Sequence, residues 1–277
     1  MHENASQAEI DAATAYEELF VAGVFHEWTS RVMDAAKLHT GHRVLDIACG
    51  TGVLAREAAR RVGPTGFVAG LDPNPGMLAV AERLTPSVEW QQGAAESLPF
   101  PDRSFDAVVS QFGLMYFSDR RQAVSEMMRV LKSHGQVAVV VWDTLGNIPA
   151  YACEVALLER MAGKQAADAV RAPFVFGNQK ELVTLFEMAG TDLVEITTQN
   201  GTARFPSIRT MVEADLRGWL PVMDVVLPEE LIQRILEEAE EDLSPFRTDE
   251  GSVMFETSAH IVTGIKEATN ATKVVKP

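Results

Sequence analysis

The stretch Val44-Leu45-Asp46-Ile47-Ala48-Cys49-Gly50-Thr51-Gly52 decides how the rest of the chain folds. Its first half is apolar and β-branched, a composition typical of a buried parallel strand. Its two glycines allow backbone geometries that a Cβ atom would forbid. Helix-forming residues follow over 53–61 and end at Gly63-Pro64, a stop signal for helices. The stretch therefore predicts a strand, a glycine turn and a helix.

The glycine turn also predicts a ligand site, because open α/β sheets bind ligands beyond the carboxyl ends of their strands. Gly50-x-Gly52-x-x-Ala55 satisfies the loose dinucleotide fingerprint. However, Asp46 places a carboxylate beneath the turn, and no Lys or Arg lies between Asp46 and Ala55. A pyrophosphate would meet an anion there without a cation. S-adenosylmethionine (SAM), which carries an ammonium and a sulfonium, fits this charge better.

A second acid supports the same interpretation. Residues 66–72 read as the next strand, and Asp72 stands at its carboxyl end, about twenty residues beyond the glycine turn. Folds of this kind keep a carboxylate at that place for ribose hydroxyls. Asp46 and Asp72 are therefore predicted to act in one site.

At this point the sequence resembles the class I SAM-dependent methyltransferases, and in particular the branch similar to the ubiquinone/menaquinone C-methyltransferases. The resemblance covers about residues 38–142. The residues that carry it are residues 44–52, Gly70-Leu71-Asp72 with Met77-Leu78, Leu98-Pro99-Phe100-Pro101-Asp102 with Phe105-Asp106, and Glu126, Arg129-Val130-Leu131-Lys132 and Gly135.

The resemblance implies an α/β fold, a Rossmann-like seven-stranded sheet whose last strand is antiparallel, with helical lid insertions. It also implies that SAM is the cofactor and S-adenosylhomocysteine the product. The cofactor-binding residues that it implies are Asp46, Ala48, Gly50, Gly52, Asp72, Pro73, Met77, Ala94, Ala95 and Gln111. One departure stands out: Gly93-Ala94-Ala95 replaces the usual Gly-Asp-Ala, so adenine recognition is expected to use the backbone of Ala94 and Ala95, helped by Glu96 or Gln111.

The charge and composition of the chain limit the partners that it is expected to bind. The formal net charge is −15 and 47% of the residues are hydrophobic. Such an acidic chain is repelled by nucleic-acid backbones and anionic lipid surfaces, which favours a small-molecule acceptor, no nucleic acid and no stable membrane insertion. The first residues lack the basic and apolar segments of a signal peptide, so a cytoplasmic enzyme is expected. A homodimer is left open.

The cysteines indicate neither a disulfide framework nor a zinc site. Only two are present, Cys49 and Cys153, without a CxxC or Cys/His spacing. No metal is therefore expected, and Cys49 is interpreted as a small side chain that fits the glycine turn.

One methyltransferase domain is predicted to occupy residues 1–277. Its core is placed at about 38–200 plus 252–267, with helical lid segments at about 1–37, 145–180 and 207–250. The apolar lid residues indicate a small hydrophobic or aromatic acceptor: Phe20, Trp28, Met115, Phe117, Phe174, Phe176, Met211 and Trp219. No catalytic residue is assigned, and Tyr16, His26 and Tyr116 are the candidates for a base or a hydrogen-bonding group.

Two alternatives stay open at this stage. A nicotinamide-dependent oxidoreductase would use Gly50-x-Gly52-x-x-Ala55 and Asp72. A SAM-binding protein without methyl transfer is suggested by the missing Asp at position 94. Thermal protection by NADH or by S-adenosylhomocysteine distinguishes the first alternative from a methyltransferase.

Overall fold

The computed structural model describes residues 5–267 and contains, in that part of the chain, one sheet of seven strands. Their order across the sheet is β3-β2-β1-β4-β5-β7-β6, and β7 runs antiparallel to both of its neighbours. The strands are β1 Arg43–Ile47, β2 Phe67–Asp72, β3 Glu89–Gln92, β4 Phe105–Gln111, β5 Leu131–Trp142, β6 Asp192–Phe205 and β7 Val253–Ile265. The predicted α/β sheet with an antiparallel last strand is confirmed.

Helices cover both faces of the sheet and continue above one end of it. They are α1 Gln7–Tyr16, α2 His26–Ala35, α3 Val53–Val62, α4 Pro75–Leu84, α5 Arg120–Val130, α6 Pro149–Met161, α7 Lys164–Arg171, α8 Gln179–Met188, α9 Ile208–Glu213, α10 Leu220–Val222 and α11 Glu229–Asp242. Two π-helical segments, Glu17–Phe25 and Ala214–Trp219, join α1 to α2 and α9 to α10.

The middles of the central strands are mainly apolar because helices bury both of their faces. Val44, Leu45 and Ile47 of β1 have no exposed surface, and the same holds for residues 107–109 of β4. Asp46 is the exception within β1, since it is a carboxylate that is only 1% exposed. Burying such a group costs free energy unless it has a function or a partner.

The N-terminal segment differs from the two separate helices predicted from the sequence. The chain stays helical from α1 through the first π segment into α2. Gly23 does not break it: a Cβ atom there would lie 2.5 Å from the carbonyl oxygen of Arg204, so the glycine permits close packing on β6. A glycine inside a helix can reflect such an approach rather than an end.

The sequence also predicts strands over 136–142, 192–198 and 258–266, and three of these boundaries are wrong. Strand β6 extends to Phe205 rather than 198 and β7 begins at Val253 rather than 258, since the two pair along most of their length. Half of β6 looks polar because it is the edge of the sheet. Strand β5 begins at Leu131, whose backbone is already extended, with an irregular register before Gln136.

The connection between β3 and β4 is fixed by one guanidinium. Arg129 of α5 donates to the carbonyl oxygens of Leu98 and Phe100 at 3.0 and 2.8 Å, and to the carboxylates of Asp102 and Glu126. Leu98, Phe100 and Asp102 belong to the Leu-Pro-Phe-Pro-Asp motif, which follows Ala94 and Ala95. The motif is therefore a structural support for the loop beside the ligand site.

Arg129→Lys should lower the free energy of unfolding by about 1–3 kcal/mol, because a lysine keeps the charge but loses the planar fork of donors. Denaturant unfolding would measure the change. Arg121→Lys, at an exposed position of the same helix, is the matched control. Equal stability of the two variants would contradict the assignment.

Candidate functional site

The turn after β1 has the unusual backbone that its glycines suggested. Ala48, Gly50 and Gly52 all have positive φ angles, of 55°, 53° and 86°. At Gly52 a Cβ atom would lie 2.4 Å from Cη2 of Trp90, so a side chain is excluded there by space as well as by conformation. The turn therefore presents bare backbone at the N-terminus of α3.

Asp72 holds this turn from the neighbouring strand. Its Oδ2 accepts a hydrogen bond from the Gly50 amide at 2.9 Å, and its Oδ1 accepts one from the Asn74 amide at 2.9 Å. Burial raises the pKa of Asp72, and the two amide donors oppose that effect. One carboxylate therefore joins the ends of β1 and β2 while its remaining lone pairs face the site.

Asp46 lies beneath the turn without a hydrogen-bonding side-chain partner. Both of its carboxylate oxygens are buried and neither forms a hydrogen bond of good geometry. Burial raises the pKa of Asp46 well above its ordinary value and the negative charge of Asp72 adds to this effect, while the nearby Ala55 amide and the charge of Arg56 oppose it. No protein side chain pairs with this buried carboxylate, so a cationic ligand would supply the missing partner.

The first cation after the glycine turn is already paired. Arg56 of α3 donates to Glu17 of the first π segment at 2.5 Å and to the carbonyl of Thr51 at 2.7 Å. The Thr51 hydroxyl donates to the same Glu17 carboxylate at 2.5 Å. This group of three side chains, the Glu17 clasp, ties the N-terminal helix to the glycine turn.

The other predicted cofactor residues lie around the same end of the sheet. Pro73 is exposed and Met77 half-buried after β2, while Ala94 is exposed and Ala95 buried after β3. Gln111 ends β4, where its amide nitrogen donates to the Phe25 carbonyl at 3.1 Å and its Oε1 is buried without a partner. That free acceptor suits an amino group.

Glu96 is not free to help with adenine. Its Oε1 accepts hydrogen bonds from the amides of Ser118 and Asp119 at 2.7 and 3.2 Å, just before α5. The sequence suggested Glu96 or Gln111 for adenine recognition in place of the missing Asp at position 94. Of these two, only Gln111 has a side-chain acceptor that is free for the adenine.

The three candidate bases separate into two groups. Tyr16 and Tyr116 face the site: the Tyr16 ring lies against Gly50, and Tyr116 packs on Trp219 with ring centroids 5.1 Å apart. His26 is exposed on α2, and its neighbour Glu27 is bonded to Arg31 and to the Thr202 amide. His26 and Glu27 therefore do not form the acid–base pair that the sequence allowed.

Tyr116 is partly exposed beside the lid. Its side chain is 44% exposed, and desolvation by the surrounding protein raises its pKa. The half-buried Phe20 lies beside Tyr16, at 5.8 Å between centroids.

Five of the eight apolar lid residues predicted to contact the acceptor belong to the core instead: Trp28, Met115, Phe174, Phe176 and Met211 are at most 9% exposed. Trp28 and Met211 have no exposed surface, and Trp28 packs edge-on against Phe112 and Trp142 at 5.9 and 5.8 Å. Their large side chains fit both interpretations in a sequence. Only the fold shows that they point into the protein.

Two acids that the sequence analysis did not single out lie in the lid. Glu154 of α6 is fully buried and Asp215 of the second π segment is 3% exposed. Burial raises the pKa of Asp215 to about 8, and burial and the charge of Asp215 raise that of Glu154. A signal was present, since Glu154 interrupts the otherwise apolar run Ala152-Cys153-Glu154-Val155-Ala156-Leu157-Leu158.

This geometry and the sheet order define the class of SAM-dependent methyltransferases, and the chain belongs to that family. A family model described as a methyltransferase domain matches residues 44–135. The chain is also 36% identical over 202 residues to the ubiquinone/menaquinone biosynthesis C-methyltransferase UbiE of Burkholderia cenocepacia (strain HI2424), covering 66% of this chain and 81% of that protein. Within the family, it is therefore similar to the ubiquinone/menaquinone C-methyltransferases.

Solved structures share the fold. A putative methyltransferase from Bacillus halodurans C-125 has a TM-score of 0.59 and 22% identity, over 87% of this chain and 99% of that one. Phosphoethanolamine N-methyltransferase 2 of Haemonchus contortus, solved with S-adenosyl-L-methionine, has a TM-score of 0.60 and 18% identity, over 94% and 57% of the two chains.

These relationships confirm an enzyme that uses SAM, and they do not support the nicotinamide alternative or the non-enzymatic one. Among the described residues, no helix is long and apolar enough to cross a membrane. Within that same part of the chain, no cluster of His, Cys, Asp and Glu offers the three ligands that a metal ion would need.

Glu17→Gln should weaken the Glu17 clasp and loosen the helix that covers the glycine turn. We expect amide hydrogen exchange over residues 8–25 to become roughly three- to tenfold faster, as for the loss of a half-buried ion pair. Hydrogen-exchange mass spectrometry measures this, and Glu18→Gln, at an exposed position, is the control. Unchanged exchange would show that the clasp does not hold the segment.

Asp215 should make the stability of the ligand-free protein depend on pH. Its carboxyl has a higher pKa in the folded protein, about 8, than its ordinary value of 3.8. Its stabilising contribution is therefore complete below pH 4 and is lost as the pH rises through 8.

Asp215→Asn removes this loss. Between pH 5 and 8, we expect the melting temperature of the unmodified protein to fall by on the order of 5 °C relative to the variant. The tyrosines Tyr116 and Tyr151 stay neutral over this range because their pKa values are raised. Scanning calorimetry would reject the assignment if the two curves ran parallel, as those of the exposed control Asp249→Asn should.

Proposed function

We propose that the enzyme transfers the methyl group of SAM to a small, mainly hydrophobic or aromatic acceptor held in the chamber beneath its lid helices. The observation that carries the cofactor part is the unpartnered, buried carboxylate of Asp46 under a bare glycine turn. A ligand with a positive charge near that carboxylate removes the cost of burying it.

Each predicted cofactor residue has a part in this proposal. Asp46 attracts the ammonium group of the methionine moiety, while the backbone of Ala48, Gly50 and Gly52 allows close approach. Asp72 accepts hydrogen bonds from the ribose hydroxyls. Around the adenine, Pro73, Met77, Ala94 and Ala95 form the walls, and Gln111 supplies the free acceptor Oε1.

The protein contributes mainly by alignment. When bound, SAM supplies a methyl group that its sulfonium already activates. Holding an acceptor in line with such a group can lower the barrier by several kcal/mol, at most about 7–11 kcal/mol for ideal alignment. Tyr16 and Tyr116, which lie between the cofactor acids and the lid, are placed to orient an acceptor group by hydrogen bonds.

Aromatic side chains support a small acceptor. Tyr116 and Trp219, which both keep exposed surface, lie 5.1 Å apart between ring centroids. The buried rings of Tyr151, Phe174 and Trp142 form a further aromatic group, at 5.5 and 6.4 Å between centroids. Flat rings in such number favour an aromatic or apolar ligand over a polymer. The net charge of −15 argues against a nucleic-acid substrate.

Four further assignments stay predictions. They are the single methyltransferase domain with its lid segments, the cytoplasmic location, the absence of a nucleic-acid partner and the homodimer. Density-gradient sedimentation and cell fractionation would address the last three directly, since none of them follows from the site.

Asp46→Asn should weaken S-adenosylhomocysteine binding by at least about tenfold, because the amide keeps the shape of the carboxylate but not its charge. Isothermal titration calorimetry measures the dissociation constant. SAM should bind to the unmodified enzyme and NADH should not.

The matched control is Asp249→Asn, at an exposed position remote in sequence from the glycine turn. It should bind S-adenosylhomocysteine as the unmodified enzyme does. Equal affinity of Asp46→Asn and this control would refute the part assigned to Asp46.

A further inference from the structure

Glu154 and Asp215 form a pair of buried carboxyl groups, the lid acid pair, that the cofactor site does not use. Both oxygens of Glu154 and one oxygen of Asp215, Oδ2, are buried without any hydrogen-bond partner. They lie on separate lid elements, α6 and the second π segment, which are distant in sequence and are brought together by the fold. Buried polar groups are normally paired, so two unpaired acids together require an explanation.

The lid acid pair lies on the acceptor side of the site. Electrostatic effects on the pKa values of three tyrosines connect the pair to the cofactor acids. The charges of Asp72 and Asp46 raise the pKa of Tyr16. Tyr16 and Asp215 raise the pKa of Tyr116, and Asp215 and Glu154 raise that of Tyr151. Charge effects decline with distance, so each group in this series is close to the next. Tyr116, which is solvent-accessible, stands in the middle.

No protein cation neutralises the pair. Among residues 5–267, no Lys, Arg or His side chain forms a hydrogen bond or ion pair with Glu154 or Asp215. Arg160 and Arg171, near Glu154 in sequence, pair with Glu238 and Asp242 and with Glu159 and Asp168. A metal ion is not indicated either, because the described residues contain no group of three suitable ligands.

The surroundings of the pair are aromatic. Tyr151 packs on Phe174, and Tyr116 packs on Trp219, whose indole nitrogen is fixed by a 2.9 Å bond to the Ala169 carbonyl. Aromatic faces attract cations, most strongly where water is excluded. Two acids among such rings form a suitable place for an organic ammonium group.

We propose that Glu154 and Asp215 are the specificity-determining residues of the acceptor subsite and bind a protonated amino group on an aromatic or apolar acceptor. This inference rests on the proposed function, since it names the class of acceptor for the same chamber.

The pair favours an amine over a hydroxyl compound for a physical reason. A hydroxyl group would gain only neutral hydrogen bonds to two largely protonated carboxyl groups. An ammonium group would replace a proton and gain charge-assisted hydrogen bonds, which are roughly twice as strong. An anionic acceptor would lose its hydration there without gaining a cationic partner.

The test compares three probes of similar shape: 2-phenylethylamine, 2-phenylethanol and 3-phenylpropionate. Calorimetric titration uses the full chain saturated with S-adenosylhomocysteine, so no turnover occurs. We expect the amine to bind at least about tenfold more tightly than the alcohol, and the acid not to bind.

The variants Glu154→Gln, Asp215→Asn and their combination should reduce the preference for the amine to less than about twofold while S-adenosylhomocysteine still binds. Glu159→Gln, which changes an exposed acid on the same helix, should keep the full preference. The comparison of probes on the unmodified enzyme decides the question even where a variant fails to fold.

Three results would overturn the proposal: equal or tighter binding of the alcohol, an amine preference that survives in the double variant, or no binding of the amine at millimolar concentration. Failure of S-adenosylhomocysteine to bind in the first step would instead refute the proposed function. The two failures are therefore distinguishable.

Discussion

The site depends on two carboxyl groups at the ends of two adjacent strands. Parallel pairing sets Asp46 opposite Gly70 and Ile47 opposite Leu71, which brings Asp72 beside the glycine turn. The 2.9 Å bond from the Gly50 amide to Asp72 then fixes the turn. Because helices cover both faces of the sheet, bulk water does not screen these acids. The site therefore holds two buried acids without a paired cation, which favours a ligand that carries a positive charge.

The N-terminal helix, rather than the sheet, covers these two acids. Helix α1 packs so closely on α4 that a Cβ atom at Gly76 would lie 2.6 Å from the Glu9 carbonyl oxygen. The Glu17 clasp then connects the following π segment to the glycine turn. Such π-helical segments are frequent at functional sites, and the segment Glu17–Phe25 supplies the carboxylate of this clasp.

The sequence was sufficient for the fold, the family and the cofactor, because the residues responsible lie close together along the chain. Asp46, Gly50 and Gly52 form one turn, and Asp72 follows at a fixed distance. Side chains that meet only through the fold were harder to interpret. Trp28 could equally line a chamber or fill the core, and its position against Phe112 and Trp142 decided for the core.

The lid acid pair was missed for the same reason, since about sixty residues separate Glu154 from Asp215. Each acid alone resembles an ordinary helix residue. The strand ends were also misjudged: the exposed polar side chains of β6 alternate with half-buried ones because it forms the sheet edge, and pairing with β7 extends both strands beyond their apolar parts.

Trp90 has a consequence for how this site can change. Its ring lies where Cβ atoms at both Gly52 and Gly70 would stand, 2.4 Å away in each case, and a 3.0 Å bond from its indole nitrogen to the Thr85 carbonyl prevents it from turning aside. The side chains at 52, 70 and 90 therefore compete for one space. A smaller aromatic at 90 would leave a void below the glycine turn. A side chain at 52 or 70 would fit only if that void existed, so redesign of this region has to change the three positions together.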